Sequence, residues 1–261
     1  GDTLRAARAA LHHWEEPCLS GDPEAPTGSG TVFFSGCALG CCYCQNYGIS
    51  QEGQGRPLTE ARLAEIFLEL QAKGAKNINL VTATQWLPWV LPALDSARRR
   101  GLRLPVVYNT GGYETVQTVQ ALAGYVDIWL TDFKYDSPAL AAELSPAGNY
   151  PAVVDRALRA MLRQTGAPVY DPEGYWRRGV IVRHLVLPGQ AADSQAVLRR
   201  LAAVRRQEKV PFLLSLMSQF TPFYHAADHG LGRRITSYEY RKVVDAALAL
   251  GLTDRYMQEK T

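Results

Sequence analysis

Four of the five cysteines fall within eight positions. They lie in the stretch Phe33-Phe34-Ser35-Gly36-Cys37-Ala38-Leu39-Gly40-Cys41-Cys42-Tyr43-Cys44-Gln45-Asn46. Thiols placed this close rarely all pack as core, so the spacing asks for a ligand. The run Thr31-Val32-Phe33-Phe34 is β-branched and aromatic and predicts a short buried strand. Gly36 and Gly40 then allow a tight loop. A strand thus delivers a cysteine loop to one end of a sheet, which is where α/β folds carry their chemistry.

Around this loop the hydrophobic period switches repeatedly between two and 3.6 residues. A helix is expected over residues 4–14, closed before Pro17, and a loop over 18–30. After the cysteines, Thr59 suits a helix cap, with Leu63, Ile66, Phe67 and Leu70 on one stripe. Strands are expected over 77–82, 105–108, 126–130, 180–187 and 211–217. Helices are expected within 87–100, around 116–122, within 137–166, from a cap at Asp193, and from a capping box at Thr236-Ser237-Tyr238-Glu239. Residues 167–178 and 217–235 are expected as loops. Strand and helix alternate six times, which gives a parallel sheet with helices outside. Six units predict a partial (β/α)6 barrel, one domain over 31–261, with residues 1–30 as a helix and loop packed on it.

The composition narrows the class. A chain of 261 residues suits a single α/β barrel, for which about 250 residues is ordinary. A net charge of +3, with arginines on helical patterns, argues against a nucleic-acid surface. No run of about 18 apolar residues predicts a membrane span. No secretion signal is expected near Gly1. A disulfide framework would spread its cysteines along the chain, so clustering predicts metal binding in a reducing cytoplasm.

The spacing Cys37-x3-Cys41-x2-Cys44 lets three thiolates each hold one iron of a [4Fe–4S] cluster. Four cysteines are the norm, so three leave one iron open. Zinc is the competing ligand, with Cys18 or His184 as fourth donor; Cys42 reads as a free thiol and Cys18 as structural. The loop resembles the C-x3-C-x-aromatic-C signature of the radical S-adenosylmethionine (radical SAM) superfamily, with Tyr43 at the aromatic place. The resemblance implies that S-adenosylmethionine chelates the open iron and is cleaved reductively to methionine and a 5′-deoxyadenosyl radical. It also implies Tyr43 near the adenine.

A parallel barrel gathers its strand ends at one mouth. Asp132 and Lys134 are two apart and share a face of an extended segment, which suits a zwitterionic ligand or a structural ion pair at the barrel mouth. Arg183 inside an apolar strand needs a partner, a ligand carboxylate or Asp132. Asp-x-Lys and Arg-x3-Leu-Pro-Gly (Arg183 to Gly189) resemble the pyruvate formate-lyase activating enzyme group over roughly residues 12–250. The resemblance implies cofactor contacts at Asp132, Lys134 and Arg183. Asn109 and Gln219, on neighbouring strand ends, are further cofactor-binding candidates; Gln219 stands near a histidine of those activases. Thr82-Ala83-Thr84 replaces their Gly-Gly-Glu, so Thr82 and Thr84 are candidates for the amino-group contact. No further cysteine insertion is present, so one cluster is expected.

These features predict an enzyme that abstracts hydrogen from a substrate, with a protein glycine as in the activases, or a peptide, small molecule or RNA. An external flavodoxin- or ferredoxin-like electron donor is expected. The contrasting class is a zinc or iron–sulfur protein without radical catalysis.

Overall fold

The computed structural model describes residues 3–253 and 255–257. The chain starts with β1 (Arg5–His12), a helical turn α1 (Pro17–Ser20) and β2 (Gly28–Phe34). The cysteine loop leads to a second turn, α2 (Tyr47–Ser50), and to the two-residue β3 (Arg56–Pro57). Repeating units follow: α3 (Glu60–Ala72) with β4 (Ala75–Val81), α4 (Leu87–Arg99) with β5 (Val106–Thr110), α5 (Val116–Ala121) with β6 (Ile128–Asp132). Next are α6 (Pro138–Leu144), α7 (Tyr150–Thr165), β7 (Val169–Tyr170), β8 (Trp176–Leu185), α8 (Ala191–Glu208) and β9 (Leu213–Met217). The last elements are α9 (Ser237–Ala249) and β10 (Arg255–Met257).

The six expected strands, β2, β4, β5, β6, β8 and β9, are neighbours in that order and parallel throughout. They form the partial barrel of an α/β fold. β10 extends it in parallel beside β9, and β1 lies antiparallel on the outer edge of β2. Side-chain alternation splits the core between the two faces of the sheet. On the outer face Leu80, Tyr108, Trp129 and Val182 pack with helix residues such as Phe67, Leu158 and Leu201. On the inner face Val107, Ile128, Leu130 and Ile181 form a second cluster. Two helix starts agree with the sequence. Thr59 Oγ1 accepts the Arg62 N–H at 3.1 Å, and Thr236 and Glu239 close a capping box on α9.

Residues 4–14 are not a helix. They form β1, paired from Ala6 opposite Phe34 to His12 opposite Ser29. Alanine and arginine favour helix locally, but the backbone groups on the free edge of β2 need partners, and β1 supplies them. The rest of the expected 1–30 unit packs on the barrel, but as the turn α1 and the start of β2 as well as loop. Cys18 and Leu19 on α1 are buried in the inner cluster, and Asn77 Nδ2 donates to the Leu19 carbonyl at 2.9 Å. The amino-terminal segment therefore plugs the barrel floor. Residues 1, 2, 254 and 258–261 of the expected division lie outside the described residues.

Two smaller expectations also change. Asp193 does not cap α8, which starts at Ala191; its carboxylate accepts backbone N–H groups of Asp136 (3.2 Å) and Ser137 (2.7 Å) and so ties α8 to the loop after β6. Residues 167–178 hold a short hairpin of β7 with the start of β8, which draws Trp176 into the inner cluster.

Candidate functional site

The loop after β2 is anchored at several points. Gly36 (φ +87°) and Gly40 (φ +59°) take left-handed backbone that other residues rarely adopt. Gly36 N–H donates to Ile49 O at 3.0 Å and Cys42 N–H to Leu144 O at 2.8 Å. Gln85 Nε2 donates to the Gly36 carbonyl at 2.7 Å, and Trp86 Nε1 to that of Ser35 at 2.7 Å. Held this way, Cys37, Cys41 and Cys44 line a cavity of about 500 Å³. Cys42 turns away into the outer core, where burial pushes its thiol up to about 11. Burial likewise raises Cys37, and Cys41 to about 11, so metal uptake here must displace protons.

Facing the loop, the same cavity is lined by Thr82, Asn109, Asp132, Lys134, Arg183 and Gln219, with Tyr43 in its wall. Asp132 and Arg183 are register partners on β6 and β8, which brings the carboxylate and guanidinium together. Lys134 Nζ donates to Asp132 Oδ2 at 2.5 Å, and Arg183 Nε to Asp132 Oδ1 at 3.3 Å. Burial alone would push Asp132 up; Lys134 and Arg183 prevail and hold it below the usual carboxylate range. Burial opposes the charge on Lys134 as well, but Asp132 keeps the ammonium well above its ordinary value.

Arg183 has further partners. Its Nη2 donates to Asn109 Oδ1 at 2.6 Å and its Nη1 to Glu15 Oε2 at 3.2 Å. Asn79 Nδ2 donates to the other Glu15 oxygen at 3.1 Å. Glu15 lines the cavity, and its burial outweighs these contacts and pushes its carboxyl up to about 7. Thr82 Oγ1 donates to the Asn109 carbonyl at 3.1 Å. Thr84 does not line the cavity; it donates to the buried Glu114 at 2.6 Å. Gln219 is exposed at the rim, and Tyr43 rests edge-on against Phe220.

Residues 31–201 match the sequence profile of the Radical SAM superfamily, a span that opens in β2 and closes within α8. The chain belongs to the radical SAM superfamily. It is also 28% identical over 235 residues to Uncharacterized protein MJ0674 of Methanocaldococcus jannaschii, which covers 87% of this chain and 64% of that relative. The chain thus spans a little under two thirds of the curated relative it matches. In fold it resembles the FeFe-hydrogenase maturase HydG from Carboxydothermus hydrogenoformans, with a TM-score of 0.56, 12% identity, and coverage of 90% of this chain and 54% of HydG. That identity bears on the fold alone.

Radical SAM membership implies an enzyme that uses an iron–sulfur cluster and S-adenosylmethionine. The donor set fits. Among the described residues no three His, Cys, Asp or Glu side chains are grouped to hold one metal ion, whereas a four-iron cluster takes one thiolate per iron and needs no common point. Neither candidate for a fourth zinc donor lines the cavity: Cys18 lies in the inner cluster, and His184 Nδ1–H donates to the Phe133 carbonyl at 2.7 Å. Among the described residues no helix is long and apolar enough to cross a membrane.

Sequence reasoning missed Glu15. Glu15-Glu16-Pro17 reads locally as a helix end. The available signal was a charge count, because Asp132 was already shared between Lys134 and Arg183 and a buried guanidinium needs more than half a carboxylate.

Proposed function

We propose that this radical SAM enzyme holds one [4Fe–4S] cluster on Cys37, Cys41 and Cys44. We further assign S-adenosylmethionine to the wall formed by Thr82, Asn109, Asp132, Lys134 and Arg183, with Tyr43 toward the adenine and Gln219 at the rim. The observation that carries this reading is the shared cavity: three thiols and a half-buried acid–base group converge at the carboxyl ends of six parallel strands. Cys37, Cys41 and Cys44 would hold the cluster, which when bound would supply the electron for reductive cleavage of S-adenosylmethionine and hydrogen abstraction from the substrate.

The chain's own residues bind and orient. Asp132, fixed from two sides by Lys134 and Arg183, presents a carboxylate whose geometry is set before the ligand arrives. Glu15 and Asn109 hold the guanidinium of Arg183 so that it cannot swing away. Thr84, through Glu114, steadies the turn after β4, whose backbone would meet the amino group. The α1 plug closes the floor to water.

As substrate we assign a glycine-containing protein segment. Support comes from the Asp132-x-Lys134 and Arg183-x3-Leu187-Pro188-Gly189 motifs, which resemble those of the glycyl-radical activases. The physiological partner completing the reaction is a flavodoxin- or ferredoxin-like one-electron donor.

Anaerobic reconstitution tests the reading. About four irons per chain and 5′-deoxyadenosine formed with dithionite are expected. Bound zinc without iron uptake would overturn it. The substrate assignment predicts a glycyl-radical signal in a glycyl-radical enzyme mixed with the loaded protein. Its absence, with 5′-deoxyadenosine still formed, would redirect the search to peptides and small molecules.

A further inference from the structure

An unbroken row of hydroxyls runs behind the cavity wall to one of the cysteine sulfurs. Tyr43 and Tyr135 share a hydrogen bond of 2.6 Å between their phenolic oxygens. Tyr135 and Ser145 share another of 2.6 Å. Ser145 Oγ–H donates to Cys41 Sγ at 3.0 Å. The row joins three separate segments: the cysteine loop, the loop after β6, and the end of α6. Tyr135 and Ser145 are fully buried, so no solvent competes for the two bonds between hydroxyls, and the donor to the partly exposed Cys41 is itself out of water.

We propose that Tyr43, Tyr135 and Ser145 act as positioning residues that set the reduction potential of the cluster through a directed hydrogen-bond chain ending on Cys41. The inference rests on the reading of Cys41 as an iron ligand. Each hydroxyl has one proton to give. A metal-bound thiolate can only accept, so Ser145 must donate to sulfur. Its oxygen must then accept from Tyr135, and Tyr135 must accept from Tyr43. Ligation at Cys41 therefore fixes the direction of the whole row, whereas a free thiol leaves both directions open.

Reduction adds negative charge, part of it on the ligating sulfurs. A donor aimed at sulfur stabilises the reduced form and raises the potential. Donors in series polarise one another, so the effect weakens with distance from sulfur without vanishing. Cys44 provides an internal comparison. Its Sγ lies 3.2 Å from Ser50 Oγ, but Ser50, unlike Ser145, is partly exposed, and water can replace that hydroxyl.

The test is a dithionite titration with redox mediators, followed by electron paramagnetic resonance of the reconstituted protein without S-adenosylmethionine. Ser145→Ala is expected to shift the one-electron equilibrium toward the oxidised cluster about tenfold, which is about 59 mV downward. Tyr135→Phe, which keeps its ring and packing, should shift it the same way by less, Tyr43→Phe by least, and Ser50→Ala should barely move it. Potentials unchanged or raised in both Ser145→Ala and Tyr135→Phe would overturn the proposal while leaving the cluster assignment intact. A wild-type protein that takes up no iron would sink the assignment and the proposal together. Should Ser145→Ala fail to assemble a cluster, Tyr135→Phe decides alone.

Discussion

Glu15 and Arg183 stand 168 residues apart in sequence and 3.2 Å apart inside the barrel. One comes from the plug ahead of β2, the other from β8, opposite Asp132 on β6. The pair links the barrel floor to the acid–base group of the cavity. Removing the Glu15 side chain leaves Arg183 Nη1 and Asn79 Nδ2 without their acceptor. Glu15→Ala is therefore expected to destabilise the protein by about 2 kcal/mol, with Glu15→Gln milder because it keeps an acceptor for Arg183. Urea unfolding of the two variants checks the order.

The same carboxylate predicts a pH effect. Its pKa rises from an ordinary 4.5 to about 7 on folding. Between those values the folded protein holds a proton that the unfolded chain has released. Stability from this group thus falls as pH rises through the interval, and the full cost is present above about 7. The melting-temperature difference, wild type minus Glu15→Gln, should decrease from about pH 5 to about pH 8. A difference that grows with pH would contradict this.

His184 titrates in the opposite sense. It is fully buried, its Nε2 lacks a hydrogen-bond partner, and burial lowers its pKa to about 4. The unfolded chain takes up the proton near 6.5 and the folded protein only near 4, so stability is lost as pH falls through that window. The loss attributable to this residue is about 3 kcal/mol. Denaturation midpoints of the wild type should fall toward those of His184→Leu as pH drops from about 7 to about 4.

The cysteines should separate cleanly. Cys37→Ala, Cys41→Ala and Cys44→Ala are each expected to lose most reconstituted iron. Cys42→Ala should keep it, at a stability cost of about 1 kcal/mol for the lost core sulfur. Iron analysis after anaerobic reconstitution reads the result. A Cys41→Ala protein with full iron and full S-adenosylmethionine cleavage would remove Cys41 from the ligand set.

Glu239 braces the loop after β8. Its carboxylate accepts from Thr236 N (2.8 Å), Gly189 N (2.7 Å) and Arg233 Nη2 (2.7 Å). Arg233, chiefly, holds it below the usual carboxylate range, so its contribution exists above that range and disappears as pH falls through the folded value. Glu239→Ala is expected to cost about 1–2 kcal/mol, and faster amide exchange at Gly189 would mark the released loop.

What sequence could reveal followed the range of the interactions. Thr59 and Thr236 cap helices by bonding residues three positions away, and both were legible. The buried strands stood out because Val, Ile, Leu and aromatic runs alternate with helical stripes. The cysteine loop is local chemistry and could be sorted residue by residue. β1 was hidden because its composition favours helix while its partner, β2, lies beyond an intervening loop. Glu15, the Tyr135–Ser145–Cys41 contacts and the bracing role of Asp193 depend on which strand ends and loops meet, and spacing carries no such information.

The plug has a consequence for how the enzyme is divided. The profile shared with the superfamily opens at residue 31, within β2, yet Glu15, Cys18 and Leu19 come from before it. A chain cut back to that profile would keep Cys37, Cys41 and Cys44, together with Asp132 and Arg183. It would lose the base of its reaction chamber and expose Val107, Leu130 and Ile181 to water. The cavity wall and its floor thus come from separate stretches of polypeptide, joined through Glu15 and Arg183.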